Sequence, residues 1–388
     1  MKILVITTWF PNPVEPIKCI FTRNILKAQI SFTDFQFIVI SPIPFFPKAL
    51  SSLFNGRFGR LSKIELIEQL DNETIIYRPK YFKLPRQLSR YFDWYFYYKA
   101  VLKTIKNSYL IFDLIHVHGL YPDSYAGYKI SKYYNVPFVC HVHDSYITDL
   151  FKSFKNKLLI SLTSSQKIIA VSEFQSNQLK KILPNNSNIV VINNGVNLHN
   201  FTLTETNLSR NKGVFVGNLI ETKGIYVLLE ALSIMLKNDV IFYLDVFGTG
   251  ELSKCKEYST HLEISDLVNF KGIIDNESLP QAFTQYDFLI LPSFYETFGI
   301  VLVEAMACGL PVIATNVAAI PEIVNSEDFG ILVEPNDAYC LAEGIKIAMK
   351  KDWNPKEIRA HAANYTIENT AVSIGKVYDE VLSNIQTQ

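Results

Sequence analysis

Pro292-Ser293-Phe294-Tyr295-Glu296-Thr297-Phe298-Gly299-Ile300-Val301-Leu302-Val303-Glu304-Ala305-Met306-Ala307-Cys308-Gly309-Leu310-Pro311 decides the fold. The apolar run 288–291 before it is a buried strand by length and composition, and Pro292 stops it. A loop carrying Glu296 then leads to Gly299, which opens a helix apolar nearly all round and closed by Gly309-Leu310-Pro311. At that helix start the backbone amides of Phe298, Gly299 and Ile300 have no helical acceptor, and such amides bind anions. Glu304 is the only charge between Phe298 and Leu310, so the helix buries it. A buried carboxylate needs donors, and a polyhydroxyl ligand such as ribose supplies them; an internally bonded glutamate is the plainer reading.

Working outward, the same strand-loop-helix alternation fills most of the chain, the pattern of parallel sheets covered by helices. In the first half strands are expected at 3–8, 35–41, 74–78, 114–118, 137–142, 167–171 and 189–192. Helices are expected at 21–31, 88–107, 124–134, 156–164 and 173–182. Residues 193–212, rich in turn formers, read as a linker. The alternation restarts with strands at 213–217, 241–247, 268–271, 287–291, 312–314 and 331–333, and helices at 223–236, 252–262, 280–284, 299–308 and 338–350. A last helix over 366–385 is expected to cross back onto the first domain, and 41–110, with its Pro and aromatic residues, reads as an insertion. The fold class is therefore α/β, with two facing Rossmann-like doubly wound domains, 1–197 and 198–365, and 366–388 packing back. Ligands of such sheets sit at the carboxyl ends of strands, which predicts a cleft between the domains.

A length of 388 residues exceeds what a single core holds, in keeping with two domains. The formal charge of zero hides a split: residues 1–190 hold 24 basic and 12 acidic side chains, 191–388 hold 13 and 25. Five scattered cysteines form no C-x-x-C pair and point to reducing cytosol rather than a disulfide framework or zinc site. The opening Ile3-Leu4-Val5-Ile6 is too short for a leader and reads as a first strand. No run of 18 apolar residues occurs, so the chain reads as soluble or peripheral.

Further motifs fall at strand ends. Gly217-Asn218 closes one strand and Lys223-Gly224 opens the next helix, where a lysine can meet a phosphate; a solvent-facing lysine is the alternative. Gly248-Thr249-Gly250 is a tight turn by itself and gains weight only beside the others. His116-Val117-His118 and His141-Val142-His143-Asp144 end two neighbouring strands, with His143 turned toward the cleft and His116 and His141 read as core histidines bonded to backbone. Four histidines in two pairs keep a metal site open as an alternative. No G-x-G-x-x-G follows the first strand, and Walker, G-x-S-x-G and Asp-x-Asp motifs are absent.

These residues resemble the GT-B glycosyltransferases of family four, whose Glu-x7-Glu motif is matched here by Glu296 and Glu304. Gly217 to Gly224, Gly248-x-Gly250, Phe270-Lys271-Gly272, Asn193-Asn194-Gly195-Val196-Asn197 and Ile320-Pro321-Glu322 add to the likeness, which spans nearly the whole chain. The resemblance implies a nucleotide-sugar donor on the second domain, an acceptor on the first, and retaining transfer that needs no metal or other cofactor. By the same likeness Glu304 is the ribose ligand, Glu296 the contact to the donor sugar and Lys223 the cation on the diphosphate. The amides of Phe298, Gly299 and Ile300 cradle phosphate or sugar, Gly248 lies beside them, and backbone at Gly272–Ile274 holds the base. His143 reaches the reacting sugar, so His143, Glu296 and Lys223 form the catalytic set. Two departures stand out: Asn218 replaces a common Arg, and Cys19 stands where relatives tend to have Gly.

Segment 78–106 carries eight basic residues against Asp93 alone, with nine aromatics. Arg86, Arg90, Trp94, Lys99 and Lys103 therefore read as a surface for an anionic bilayer that presents a lipid-linked saccharide. A core helix whose cations snorkel to solvent is the alternative, and single-stranded nucleic acid is disfavoured by the neutral total charge. The expected activity is hexosyl transfer in bacterial surface polysaccharide assembly, in the cytoplasm with peripheral attachment to the inner face of its membrane. A nucleotide-sugar epimerase or hydrolase of the same fold, and a non-catalytic donor-binding partner, are the competing readings.

Overall fold

The computed structural model describes residues 1–45, 60–61, 63–71, 73–83, 86–183, 188–203 and 211–386; of 86–91, 385 and 386 it describes the backbone alone. The chain divides into two compact units, Met1–Asn193 with Glu368–Gln388, and Asn194–Ile367.

The first unit runs β1 (Lys2–Thr7), α1 (Ile20–Phe32), β2 (Gln36–Ile40), β3 (Ile43–Phe45), β4 (Ile67–Gln69), β5 (Ile75–Tyr77), β6 (Lys80–Phe82), α2 (Arg86–Asn107), β7 (Leu114–His118), α3 (Asp123–Tyr134), β8 (Phe138–Val142), α4 (Ile147–Ser164), β9 (Lys167–Ala170), α5 (Glu173–Ile182) and β10 (Ile189–Val191). Its main sheet has the order β10-β9-β8-β7-β1-β2-β5-β4, parallel except for β4. β7 and β8 are buried throughout, as strands covered on both faces must be. Alternate residues of β1 feed two cores. Ile3 and Val5 pack with Ile25 and Leu26 of α1, whereas Leu4 and Ile6 pack with Tyr97, Val101 and Ile105 of α2.

The second unit runs β11 (Lys212–Val216), α6 (Ile225–Lys237), β12 (Tyr243–Phe247), α7 (Leu252–His261), β13 (Val268–Gly272), α8 (Leu279–Phe283), β14 (Phe288–Leu291), α9 (Ile300–Ala307), β15 (Val312–Thr315), α10 (Ile320–Ile323), β16 (Gly330–Val333), α11 (Ala338–Lys350) and α12 (Pro355–Ala362). The last helix, α13 (Ile367–Gln386), belongs to the first unit from Glu368 onward. There Tyr378 takes a hydrogen bond from Gln29 Nε2 at 2.8 Å and meets His116 Nδ1 at 2.5 Å. The second sheet is parallel throughout, in the order β13-β12-β11-β14-β15-β16.

Both sheets are doubly wound as the alternation predicts, and three local expectations change. α4 starts at Ile147, not 156, because a non-helical residue at Phe154 breaks the apolar period that marks a helix. The insertion holds more sheet than expected: besides β5, which falls within the expected strand 74–78 and extends the main sheet, β4 pairs antiparallel to it and β3 with β6 forms a separate ladder. Finally, the described residues of 193–212 do not form a free linker beyond Asn193. Val196 bridges Thr366, and Arg359 on α12 donates to the carbonyls of Leu198 and Phe201 and to Ala307 O at the end of α9. The turn residues that suggested a linker instead lace this stretch onto the second unit.

Candidate active site

In the second sheet the chain reverses direction of winding between β11 and β14, and loops leaving that point hold ligands in folds of this kind. The loop after β11 carries Lys223 and the loop after β14 carries Glu296, and Lys223 Nζ lies 2.5 Å from Glu296 Oε1. Ser293 Oγ donates to the same carboxylate oxygen at 3.0 Å. Backbone joins the loops too: Phe294 N donates to Thr222 O at 2.9 Å, and Ala319 N to Glu296 O at 3.2 Å. Gly224 permits this approach. Its φ is +71°, and a Cβ there would stand 1.9 Å from Pro292 O.

Gly299 caps α9 with φ +89°, followed by Ile300 as the first helical residue. The amides of Phe298, Gly299 and Ile300 thus stand at the helix start expected of them, although Phe298 itself is buried against Tyr365. One turn on, Glu304 is 8% exposed and accepts from Asn276 Nδ2 at 3.0 Å. Burial pushes its carboxyl up to about 7, and the Asn276 bond pulls the other way. Asn276 carries no motif of its own; its proximity to Gly272 in sequence is the one signal that could have found it.

The strand ends beside this point are stitched through glycines. Gly217 N donates to Phe247 O at 3.0 Å and Gly248 N to Gly272 O at 2.7 Å. A Cβ on Gly248 would meet Gly217 O at 1.8 Å, whereas one on Gly272 would meet nothing within 4 Å. Gly272 therefore borders open space, beside half-buried Ile274 and exposed Ile273. Asn218 is exposed.

In the first unit the corresponding reversal lies between β1 and β7. His143, just past β8, is buried, with Nε2 2.9 Å from His118 Nδ1 and its ring packed against Phe21 and Trp9. Nδ1 of His143 has no protein partner. Burial lowers the basicity of His116, His118, His141 and His143 and holds all four neutral. The expectation that His116 and His141 bond to backbone fails: His116 meets the Tyr378 phenol, and neither ring nitrogen of His141 has a partner. One nitrogen each from His116, His118 and His141 lies within 4.8 Å of the others, the arrangement behind the metal alternative.

Sequence reading missed the carboxylates here. Asp123 is fully buried and accepts from Thr8 N, Thr8 Oγ1 and Tyr97 OH at 2.7, 2.9 and 2.6 Å; burial lifts its carboxyl to about 6. Asp144 accepts from Leu120 N at 2.9 Å and is lifted to about 7.

Residues 203–369 match the family of glycosyl transferases group 1, and residues 59–200 match glycosyltransferase family 4. An uncharacterised glycosyltransferase of Methanocaldococcus jannaschii is 30% identical over 281 residues, 69% of this chain and 76% of its own. The chain belongs to the family-four glycosyltransferases. TuaC of Bacillus subtilis, named for glycosyl transfer in teichuronic acid biosynthesis, is 26% identical over 92% of this chain and 91% of its own. Among solved structures, sucrose-phosphate synthase of Thermosynechococcus elongatus superposes with a TM-score of 0.82 at 19% identity, covering 99% of this chain and all of the other. HepE of Anabaena, solved with UDP, gives 0.70 at 20% identity over 99% and 100%. The fold of this glycosyltransferase is GT-B.

The glycosyltransferase has an amphipathic α2. Tyr97, Val101, Leu102 and Ile105 are buried, while Phe92, Tyr95, Lys99 and Lys103 are exposed. Lys99 Nζ lies 5.5 Å from the Tyr95 ring centroid. Trp94 is half-buried, edge-on to Tyr125 of α3 at 4.9 Å, and so belongs partly to the fold. The side chains of Arg86 and Arg90 lie outside the described residues. Among the described residues no helix is long and apolar enough to cross a membrane.

Proposed function

We propose that this glycosyltransferase moves a hexose-type sugar from a nucleoside-diphosphate donor to a glycan acceptor, with retention of anomeric configuration and without a metal ion. The observation that carries this reading is the Lys223 ammonium, fixed on Glu296 at the winding reversal of the second sheet, with the start of α9 beside it. A cation and free amides at one point are suited to the charge that develops on a leaving diphosphate. Glu296 orients Lys223 and keeps its other oxygen for the donor sugar, while Glu304 with Asn276 takes the ribose hydroxyls. Phe298, Gly299 and Ile300 contribute backbone amides, and Gly248, Gly272 and Ile274 border the base. His143, neutral through burial, serves the transferring sugar. The UDP and UDP-glucose in structures of HepE favour a uridine donor.

We further propose that the acceptor is lipid-linked and the product a bacterial surface polysaccharide, the setting for which TuaC is named. Lys99 and Lys103, with Phe92 and Tyr95 on the same exposed side of α2, would hold the enzyme peripherally on the anionic inner face of the cytoplasmic membrane.

The test is incubation of the full chain with a panel of UDP-, GDP- and dTDP-hexoses, with and without bacterial lipid extract. Nucleoside diphosphate release that requires lipid supports transfer. Release or isomerisation without any acceptor would replace transfer by hydrolysis or epimerisation, and donor binding without turnover would make the chain a donor-binding partner.

A further inference from the structure

His116 and His118 share one face of β7, and His141, opposite His118 in the ladder, stands on β8 with His143 just beyond it. The four rings lie together. Centroids are 4.1 Å apart for His116 and His118, 5.1 Å for His118 and His141, and 4.1 Å for His141 and His143. Strands covered on both faces are ordinarily filled with aliphatic side chains, so four imidazoles at one place in the core call for a partner.

Their hydrogen bonds are unevenly spread. A neutral imidazole has one donor and one acceptor nitrogen. Nδ1 of His116 meets the Tyr378 phenol, which Gln29 also holds, and Nδ1 of His118 meets Nε2 of His143 at 2.9 Å. Nε2 of His116 and both nitrogens of His141 have no protein partner, and a buried polar group left unmatched costs about 1–3 kcal/mol. Outer bonds at one ring nitrogen are what orient a metal-ligating histidine and leave its other nitrogen for the ion.

One nitrogen each from His116, His118 and His141 lies within 4.8 Å of the others. The unpartnered nitrogens are closed to solvent, which shuts out a hydrogen-bonding solute but not a bare ion. Zinc–nitrogen bonds are about 2.0–2.1 Å and set bound nitrogens roughly 3.4 Å apart, so the rings draw in around an ion and leave water outside. Such an ion enters as the first sheet assembles, and its binding energy becomes folding energy.

We propose that His116, His118 and His141 form a structural site for a transition-metal ion of the zinc class, held by Nε2 of His116 and His118 and by one ring nitrogen of His141. Imidazole ligands suit zinc, copper, iron or nickel, whereas magnesium and calcium take oxygen. The ion goes beyond the transfer reading above and takes no part in it, because Lys223 is the cation on the diphosphate there. Ligation at Nε2 of His118 keeps the proton on Nδ1, which donates it to Nε2 of His143. The ion thereby fixes which nitrogen of His143 carries a proton.

The test is metal content of the full chain. Protein from zinc-supplemented cells is counted by atomic emission after gel filtration, and protein unfolded in urea with a chelator is refolded with Zn²⁺, with Co²⁺ or with neither. About one ion per chain is expected from the cells, and the zinc-refolded protein should melt higher than the metal-free one. Co²⁺ should give the visible absorption of a site with few ligands. His141→Gln, which removes no hydrogen bond to protein, should weaken zinc at least about tenfold in competition with a chelator. His141→Cys restores a ligand and should recover binding, adding a thiolate-to-cobalt band in the near ultraviolet. If His141→Gln does not fold, that band decides alone. A parent that carries no metal from zinc-supplemented cells overturns the site. So does an ion retained undiminished in His141→Gln, or a His141→Cys protein with cobalt bound and no thiolate band, since either would place the metal elsewhere.

Discussion

The two units share a winding pattern and use its reversal point in different ways. In the first, the strands there end in neutral histidines and two buried carboxylates, and protein groups satisfy only part of their polar atoms. In the second, they end in glycines and one bonded pair, Lys223 with Glu296. Overall charge runs opposite to what an anionic donor needs, since the half containing the second unit is acidic. On the proposed reading, attraction of the donor there is local, from an ammonium and helix-start amides, because a net field of the wrong sign repels. Close backbone approach is what makes such a local site, and glycine is what permits it.

The sharpest way to break that contrast is Lys223→Ala. Removing a positioned charge that stabilises a leaving group typically costs about 10²–10³ in turnover, and steady-state rates of donor consumption should fall by that order with the fold unchanged. A variant with normal rates removes the local-attraction account. Next in size is the glycine comparison. Gly224→Ala drives a Cβ onto Pro292 O and should cost about 3 kcal/mol or more by denaturant unfolding. Gly272→Ala has the same positive φ and open space, so backbone strain of about 1 kcal/mol is all it should show. Equal losses would mean that conformation alone, not contact between the loops, selects these glycines.

Much of this was legible because parallel buried strands write themselves as apolar runs, and the loops after them are punctuated by Gly and Pro. The strands β7 and helices α5 and α11 stand within the ends read from periodicity. What escaped was set by partners remote in sequence. Only its nearness to Gly272 marks Asn276 as the donor to Glu304, and nothing local marks Tyr378 as the phenol against His116, 262 residues away. Arg78 looked like one more cation of a basic segment, and only folding separates it from Lys99: one is buried with an unmatched nitrogen, the other lies exposed over Tyr95.

That segment gives the next prediction, about 2 kcal/mol for two cations near an anionic surface. Lys99→Gln with Lys103→Gln should lower sedimentation with phosphatidylserine vesicles roughly thirtyfold at low salt, leaving nucleotide binding unaltered. Vesicle partitioning equal to that of the parent confines α2 to a structural role. Protonation separates the units at a similar scale. Glu304 is held near pH 7 against an ordinary 4.5, so between those values the folded state keeps a proton that the unfolded chain has lost. Stability therefore falls as pH rises through that window. Glu304→Gln should melt like the parent near pH 4.5 and gain on the order of 2 kcal/mol above pH 7 without donor. In the first unit the lowered histidines work oppositely, losing stability as pH falls below 6.5, and offset Asp123 and Asp144. His143→Gln should accordingly change melting most on the acid side. A pH-independent Glu304→Gln difference would show that burial does not govern that carboxyl.

The smallest effect concerns Cys19. Cys19 caps α1 with φ +54° and ψ 36°, in the left-handed region that favours glycine, and its side chain makes no capping hydrogen bond. A non-glycine residue there costs about 1–2 kcal/mol, while glycine forfeits about 0.4–1 kcal/mol through the freer unfolded chain. Cys19→Gly should therefore stabilise by about 0.5 kcal/mol, read as a shift of the urea midpoint at constant slope. Burial pushes the thiol up to about 11, so it stays protonated near neutrality and should react slowly with thiol reagents. Since Cys19 also lines a cavity beside Arg78, a loss on substitution by glycine would mean that its sulfur packs the cavity wall firmly enough to outweigh the backbone strain. The first unit would then keep a strained non-glycine residue for the shape of its pocket.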